Sequence, residues 1–298
     1  MKPFLNILVG INYTEASCHA LRKAVAIASQ EGAKVTACHV LPVTDLNDYV
    51  NFYQIEHLNL VDEAKECLAG FVEKVIGPDH EVTCRVSEGS PHHEISSITN
   101  EEHFDLLVLG DGDDTDDTRD VGQFAIRCLR FVEIPVLIVN QADESPLPPV
   151  AACLDFSGST KPILENAARL VTGTQPSLEL IHAARPPWLR KFFGRLRDSS
   201  SENSGEKERF REAIDARLAT AADQVDPGLF PEVDTTRLES IDPDRALLDY
   251  LAENEFSLVV LGRSGHGFKG LLSDVIGSTA NDLIRNASNP ILVVPLES

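Results

Sequence analysis

The stretch 256–295, FSLVVLGRSGHGFKGLLSDVIGSTANDLIRNASNPILVVP, decides the reading of the chain. An apolar run from Leu258 to Leu261 stops at Gly262, and a glycine-rich segment follows through Gly265, Gly267 and Gly270. Gly277-Ser278-Thr279 then opens an amphipathic helix ahead of a second apolar strand. The order is strand, loop, helix, strand. Glycines at 262, 265 and 267 carry no side chain and permit positive φ, so successive backbone N–H groups can converge on one anion. The helix behind them adds unpaired N-terminal donors and the positive end of its dipole, and Ser278 and Thr279 offer hydroxyls. Phosphate is the natural guest of such a loop, although a plain tight strand-to-helix connection uses the same glycines.

Outward from this stretch, the 298 residues suffice for two domains, and 43% apolar with 24% charged residues is ordinary for a globular protein. Lys and Arg number 26 against 47 Asp and Glu, a net charge of −21. So acidic a surface repels a nucleic-acid backbone, and neither DNA nor RNA is an expected partner. No apolar run approaches the ~18 residues of a membrane span, and MKPFLNILVGINYTEAS at the start reads as a first strand rather than a secretory leader. A cytoplasmic location is expected. Cys18, Cys38, Cys67, Cys84, Cys128 and Cys153 lie far apart with no CxxC pair, which suits buried thiols better than disulfides or zinc.

In chain order, apolar runs predict strands at 4–12, 33–41, 81–87, 104–110 and 134–140. Helical periodicity predicts helices at 15–31, about 55–77, 91–102 and 121–132. Residues 141–149, QADESPLPP, form a polar, proline-rich linker, after which the pattern begins again. ILVGIN aligns with VAACLD, placing Asn12 on Asp155, and the same offset of 143 places His39 on His182. Gly110 falls on Gly262 at an offset of 152, and Pro135 on Pro290 at 155. Two homologous domains are therefore expected, at 1–141 and 149–298. Each is read as a doubly wound, five-stranded parallel sheet with four helices, Rossmann-like, its ligand crevice beyond the carboxyl ends of the strands.

With these motifs in place, each half resembles a universal stress protein domain, and the chain is similar to the tandem members of that family. Nucleotide-binding members carry an Asp at the end of strand one, an xHx ending to strand two, and a G-x2-G-x9-G-[ST] loop. The second half offers Asp155 in LDFS, His182-Ala183 in LIHAA, and Gly262, Gly265, Gly277 and Ser278. Eleven residues separate Gly265 from Gly277; counting from Gly267 restores nine and lengthens the first gap to four. Either glycine could face phosphate. The resemblance implies ATP as cofactor, with or without Mg²⁺. It gives Asp155 hydrogen bonds to base or sugar, Phe156 the wall, and the backbone at Ala183 the adenine edge. Gly262, Gly265, Gly267, Gly277, Ser278 and Thr279 form the phosphate cradle, with Arg263, His266 and Lys269 as cations above it. Asp155 can instead serve as a turn or helix-capping carboxylate, and His182 as a satisfied histidine ending a buried strand, the more expected of its two roles. The resemblance also implies that 134–140 and 290–295 pair the halves about a pseudo-two-fold axis, and a homodimer is compatible with it.

The first half departs from this pattern. Its loop, LGDGDDTDDTRDVGQFAIRC, keeps Gly110, Gly112 and Gly122 but carries six aspartates, and Gln123 stands where Ser278 does. Like charges at about 8 Å cost a triphosphate roughly 0.5–2 kcal/mol each, so this half is expected not to bind ATP unless a divalent metal intervenes. Residues 1–148 hold 10 basic and 25 acidic residues; 149–298 hold 16 and 22.

Residues 185–197, RPPWLRKFFGRLR, are basic and carry Trp188, Leu189, Phe192, Phe193 and Leu196 at helical spacing. They suit an acidic partner, a membrane surface, a lid over nucleotide, or a short helix packed on its own domain. Residues 198–208, DSSSENSGEKE, read as a polar connector. No GxxxxGK[ST], GxSxG or HExxH motif occurs. His92-His93 begins a helix and reads as a solvated terminus. The primary reading is an ATP-binding stress protein with one site in its second half. Its rivals are a nucleotide-free interaction protein and, more weakly, a slow ATPase.

Overall fold

The computed structural model describes residues 3–42, 57–112, 122–139, 149–171, 175–190, 204–263 and 276–295. The first half runs β1 (Asn6–Gly10), α1 (Glu15–Glu31), β2 (Lys34–Pro42), α2 (His57–Ile76), β3 (Val82–Gly89), α3 (Pro91–Glu101), β4 (Leu106–Gly110), α4 (Gln123–Leu129) and β5 (Val136–Val139). The second runs β6 (Val150–Cys153), α5 (Thr160–Leu170), β7 (Leu178–Ala184), α6 (Pro187–Arg190), α7 (Ser204–Ala222), β8 (Val233–Glu239), α8 (Pro243–Glu253), β9 (Leu258–Gly262), α9 (Ser278–Asn286) and β10 (Ile291–Val294).

All ten strands form one sheet in the order β3-β2-β1-β4-β5-β10-β9-β6-β7-β8. Each half repeats the doubly wound order in parallel pairing, so the mixed α/β, Rossmann-like expectation holds. The halves meet through β5 and β10, which pair antiparallel with Leu137 opposite Leu292. Both strands are buried along their whole length, so each covers the apolar edge the other would expose. This is the pairing implied for 134–140 and 290–295.

The sheet is covered on both faces, and each face carries one core shared by the two halves. Ala24 of α1, Leu68 of α2, Ile163 of α5 and Leu218 of α7 pack on one side. Ile95 of α3, Ile126 of α4, Leu247 of α8 and Ile284 of α9 pack on the other. The central strands β4, β5, β6, β9 and β10 are apolar runs without alternation because both of their faces are buried.

Three expectations are corrected. The second half has five described helices, because the four-residue α6 adds to the predicted four. Residues 204–208 are no connector but the start of α7, where Glu206, Lys207 and Glu208 favour helix and Lys207 lies 5.7 Å from the Trp188 ring. Finally, the six cysteines are free, yet only Cys38, Cys128 and Cys153 are buried; Cys67 is exposed on α2. Among the described residues no helix is long and apolar enough to cross a membrane.

Candidate functional site

Strand order reverses between β1 and β4, and again between β6 and β9, so each half opens a crevice at the carboxyl ends of its strands. In the second half a cavity of about 250 Å³ is lined by Asp155, Ala183, Gly262, Gly277, Ser278 and Thr279. Pro243 and Asp244 of α8 close its side. Gly262 ends β9 at a close approach: a Cβ there would lie 3.1 Å from Ser159 Cβ. Gly277 begins α9 with no side-chain cap, and its N–H donates to the Arg263 carbonyl at 2.9 Å. The first turn of α9 therefore faces the cavity with N–H groups that no capping side chain takes.

Asp155 sits in the loop between β6 and α5, where Oδ1 accepts from Ser157 N at 2.9 Å and from Ser159 Oγ at 3.2 Å. The carboxylate thus organises its own turn while lining the cavity. His182 donates Nδ1–H to the Leu154 carbonyl at 2.6 Å; a carbonyl can only accept, which fixes the tautomer and leaves Nε2 as an acceptor. It is a satisfied histidine near the end of a strand. Burial pushes the Cys153 thiol, also on the cavity wall, up to about 12, so it stays protonated.

Several predicted site residues stand elsewhere. Phe156 takes φ 58°, stacks on His182 with centroids 4.4 Å apart and packs into the core of the α5/α7 face, so it does not line the cavity. The Arg263 guanidinium reaches the first half, where Nη1 donates to the carbonyls of Leu129 at 3.1 Å and Val132 at 2.8 Å. It ties the halves together instead of covering the cradle. Thr279 lines the cavity, but its hydroxyl donates to Asp244 Oδ1 at 2.5 Å. Gly265, Gly267, His266 and Lys269 lie outside the described residues, as do the aspartates from 113 to 120 and residues 191–197.

The sequence reading missed Asp244. Its signal was present in Asp242-Pro243-Asp244, an N-cap followed by Pro at N1, which starts a helix directly after a strand. Asp242 accepts from Arg245 N at 3.2 Å and so caps α8. The repeat offset of 152 places Asp244 on His92, which does not line the first-half cavity, so that wall carries a carboxylate in the second half alone.

A model of the universal stress protein family matches twice, over residues 3–140 and 148–295. The chain belongs to the universal stress protein family. Comparison with curated proteins gave no match. A solved universal stress protein from Archaeoglobus fulgidus DSM 4304 is 19% identical, with 98% of this chain and 98% of that one covered and a TM-score of 0.64. A putative universal stress protein from Pseudomonas aeruginosa UCBPP-PA14 is 16% identical over 99% of this chain and 94% of its own, also at 0.64. These likenesses show the shared fold. A universal stress protein solved in complex with cAMP is 21% identical over 46% of this chain and 98% of its own, with a TM-score of 0.33, and the cAMP belongs to that protein.

The two universal stress protein repeats preserve their strand-end geometry closely. Tyr13 repeats Phe156, with φ 66° and its ring 4.5 Å from His39, whose Nδ1–H donates to the Ile11 carbonyl at 2.8 Å. Around their crevices they diverge. The first half opens a cavity of about 580 Å³, more than twice the second, with Gln123 and Phe124 where Ser278 and Thr279 stand.

Proposed function

We propose that the crevice of residues 149–298 binds one ATP, and that residues 1–141 act as its pseudo-symmetric partner without a triphosphate site of their own. The observation that carries this reading is the convergence of Gly262, Gly277 and Ser278 at the uncapped start of α9, on the cavity wall. An oxyanion there would receive backbone N–H bonds and the positive end of the helix dipole. Asp155, also on the cavity wall, is the acceptor for ribose hydroxyls or the base amine. The cavity is below the ~300–1,000 Å³ of most small-molecule sites, so it would enclose only part of the nucleotide.

Titration calorimetry of the full chain with Mg²⁺–ATP tests the reading, with one site per chain expected. Gly277→Asp should abolish the heat, because a carboxylate then takes the place of the phosphate. Two sites would overturn the assignment to one half. No heat, with no nucleotide released on denaturation, would favour the second reading, a nucleotide-free interaction protein. That reading has its own support in Asp244, a second carboxylate in the cavity that repels phosphate.

A further inference from the structure

The first-half cavity differs from the second in chemistry as well as size. Val40, Leu41, Leu60, Ile95, Leu109 and Phe124 give it a mainly apolar wall, and its 580 Å³ fits a small-molecule ligand. Arg127 is the one charged side chain among the described residues lining it, and it is exposed on α4. No described lining residue is acidic, whereas Asp155 and Asp244 line the second.

Two polar groups of the lining stand at the ends of the strands and a third at the start of α4. Asn12 Oδ1 accepts from Thr14 N at 3.3 Å and Thr14 Oγ1 at 2.6 Å, which leaves its amide NH₂ as the donor. His39 gives Nδ1–H to Ile11 and keeps Nε2 as an acceptor. Gln123 replaces the serine at the start of α4. The lining thus pairs an apolar body with the Asn12 amide donor and the His39 imidazole acceptor at the strand ends and the Gln123 amide at the start of α4.

Anions are disfavoured from inside the protein. The Asp111 carboxylate takes the N–H of Gly122, the donor equivalent to Gly277 N–H in the second half. In the second half that donor is taken by the Arg263 carbonyl, so the first half has a carboxylate beside the start of α4 where the second has a neutral backbone oxygen.

We infer that the first-half cavity is a second ligand site, which takes an uncharged, predominantly apolar small molecule hydrogen-bonded at one edge by Asn12 and His39. The protein on this reading has two unlike pockets on one sheet.

Full-length protein titrated with Nile red, a neutral apolar dye, tests this by fluorescence. One saturable site is expected. Leu41→Trp, which fills the cavity, should weaken it at least tenfold, and Phe124→Ala, at an exposed wall position, should weaken it severalfold. Gly277→Asp and saturating Mg²⁺–ATP should leave it unchanged, so the outcome does not depend on the nucleotide reading. The anionic dye 1-anilinonaphthalene-8-sulfonate should bind at least tenfold more weakly than Nile red. Absence of saturable Nile red binding, competition by ATP, equal affinity for the anionic dye, or undiminished binding in Phe124→Ala and a folded Leu41→Trp would each overturn the inference.

Discussion

At the scale of single residues, equal positions in the two repeats have acquired unequal constraints. Gly110 and Gly262 end equivalent strands, yet a Cβ on Gly110 would collide with the backbone carbonyl of Ala16 and lie 2.8 Å from Ser17 N, whereas one on Gly262 meets a serine side chain at 3.1 Å. The overlap with the Ala16 carbonyl is far deeper than the 3.1 Å contact, which a shift of a few tenths of an ångström relieves, so Gly110→Ala should cost about 3 kcal/mol and Gly262→Ala about 1 or less in urea unfolding. Asp111 shows the same divergence in charge. Burial raises its carboxyl from the ordinary 3.8 to about 6, with the Gly122 N–H opposing the rise. A folded-state value above the unfolded one means the native protein holds this proton more tightly. Stability from this group is therefore greatest below about 4 and falls as pH rises through about 6. Asp111→Asn should stabilise the protein at pH 7 by on the order of 1 kcal/mol, after screening at this partly exposed site, and give no gain at pH 3.5. Denaturant titrations at the two pH values measure the difference. Neither effect was legible in the sequence, because each depends on what the neighbouring helix brings to the position. The aspartate itself was visible, and so was the case against anions it supports.

At the scale of elements, periodicity located the five strands of the first half to within a few residues, since apolar runs between turn residues are the physical requirement for a sheet buried on both faces. Helix α1 was read to the residue because its ends are chemically marked: Thr14 accepts from Ser17 N at the start, and Gly32 takes φ 70° at the close. Thr14→Ala should therefore cost about 1 kcal/mol of stability, read by thermal or urea unfolding, because the Ser17 N–H loses its cap in a buried position. Helix α7 was missed at its start because Asp198 to Glu208 is polar throughout, and its helical conformation depends on the docking of residues farther along, Ile214 and Leu218, onto β7 and β8. The candidate crevice was legible as a glycine pattern and a strand-end Asp. What sequence could not show was the direction of each side chain. Phe156 turns to the opposite face, and Thr279 is engaged by Asp244 from a helix 35 residues upstream.

At the scale of the whole molecule, the two repeats are joined by more than the strand pair at their centre. Two arginines of the second half reach into the first: Arg169 lies 3.7 Å above the buried Phe4 ring with Asp105 at 3.9 Å, and Arg263 binds two carbonyls at the end of α4. The pseudo-symmetry does not extend to them, since the repeat places Arg169 on Ala26 and Arg263 on Asp111. Among the described residues both arginines that cross the seam come from the second half, which reading Arg263 as a phosphate ligand could not reveal. Arg263 also links the seam to the candidate nucleotide loop, because its N–H donates to the Val294 carbonyl at 2.8 Å and its carbonyl receives Gly277 N–H. Arg263→Ala would leave the carbonyls of Leu129 and Val132 without this donor next to a buried helix end, at a cost of about 2–3 kcal/mol. Lysine offers a point charge in place of a planar fork, so Arg263→Lys should recover only part of that. Trp188, the single tryptophan, lies in the second half and stacks edge-on with Phe210, so its fluorescence reports that half while far-UV circular dichroism reports both. In the unaltered protein the two signals should change together on urea unfolding, as one continuous sheet requires. In Arg263→Ala the midpoint should fall and the two curves should separate. An unshifted midpoint with coincident curves would mean that β5 and β10 hold the halves together without the arginine.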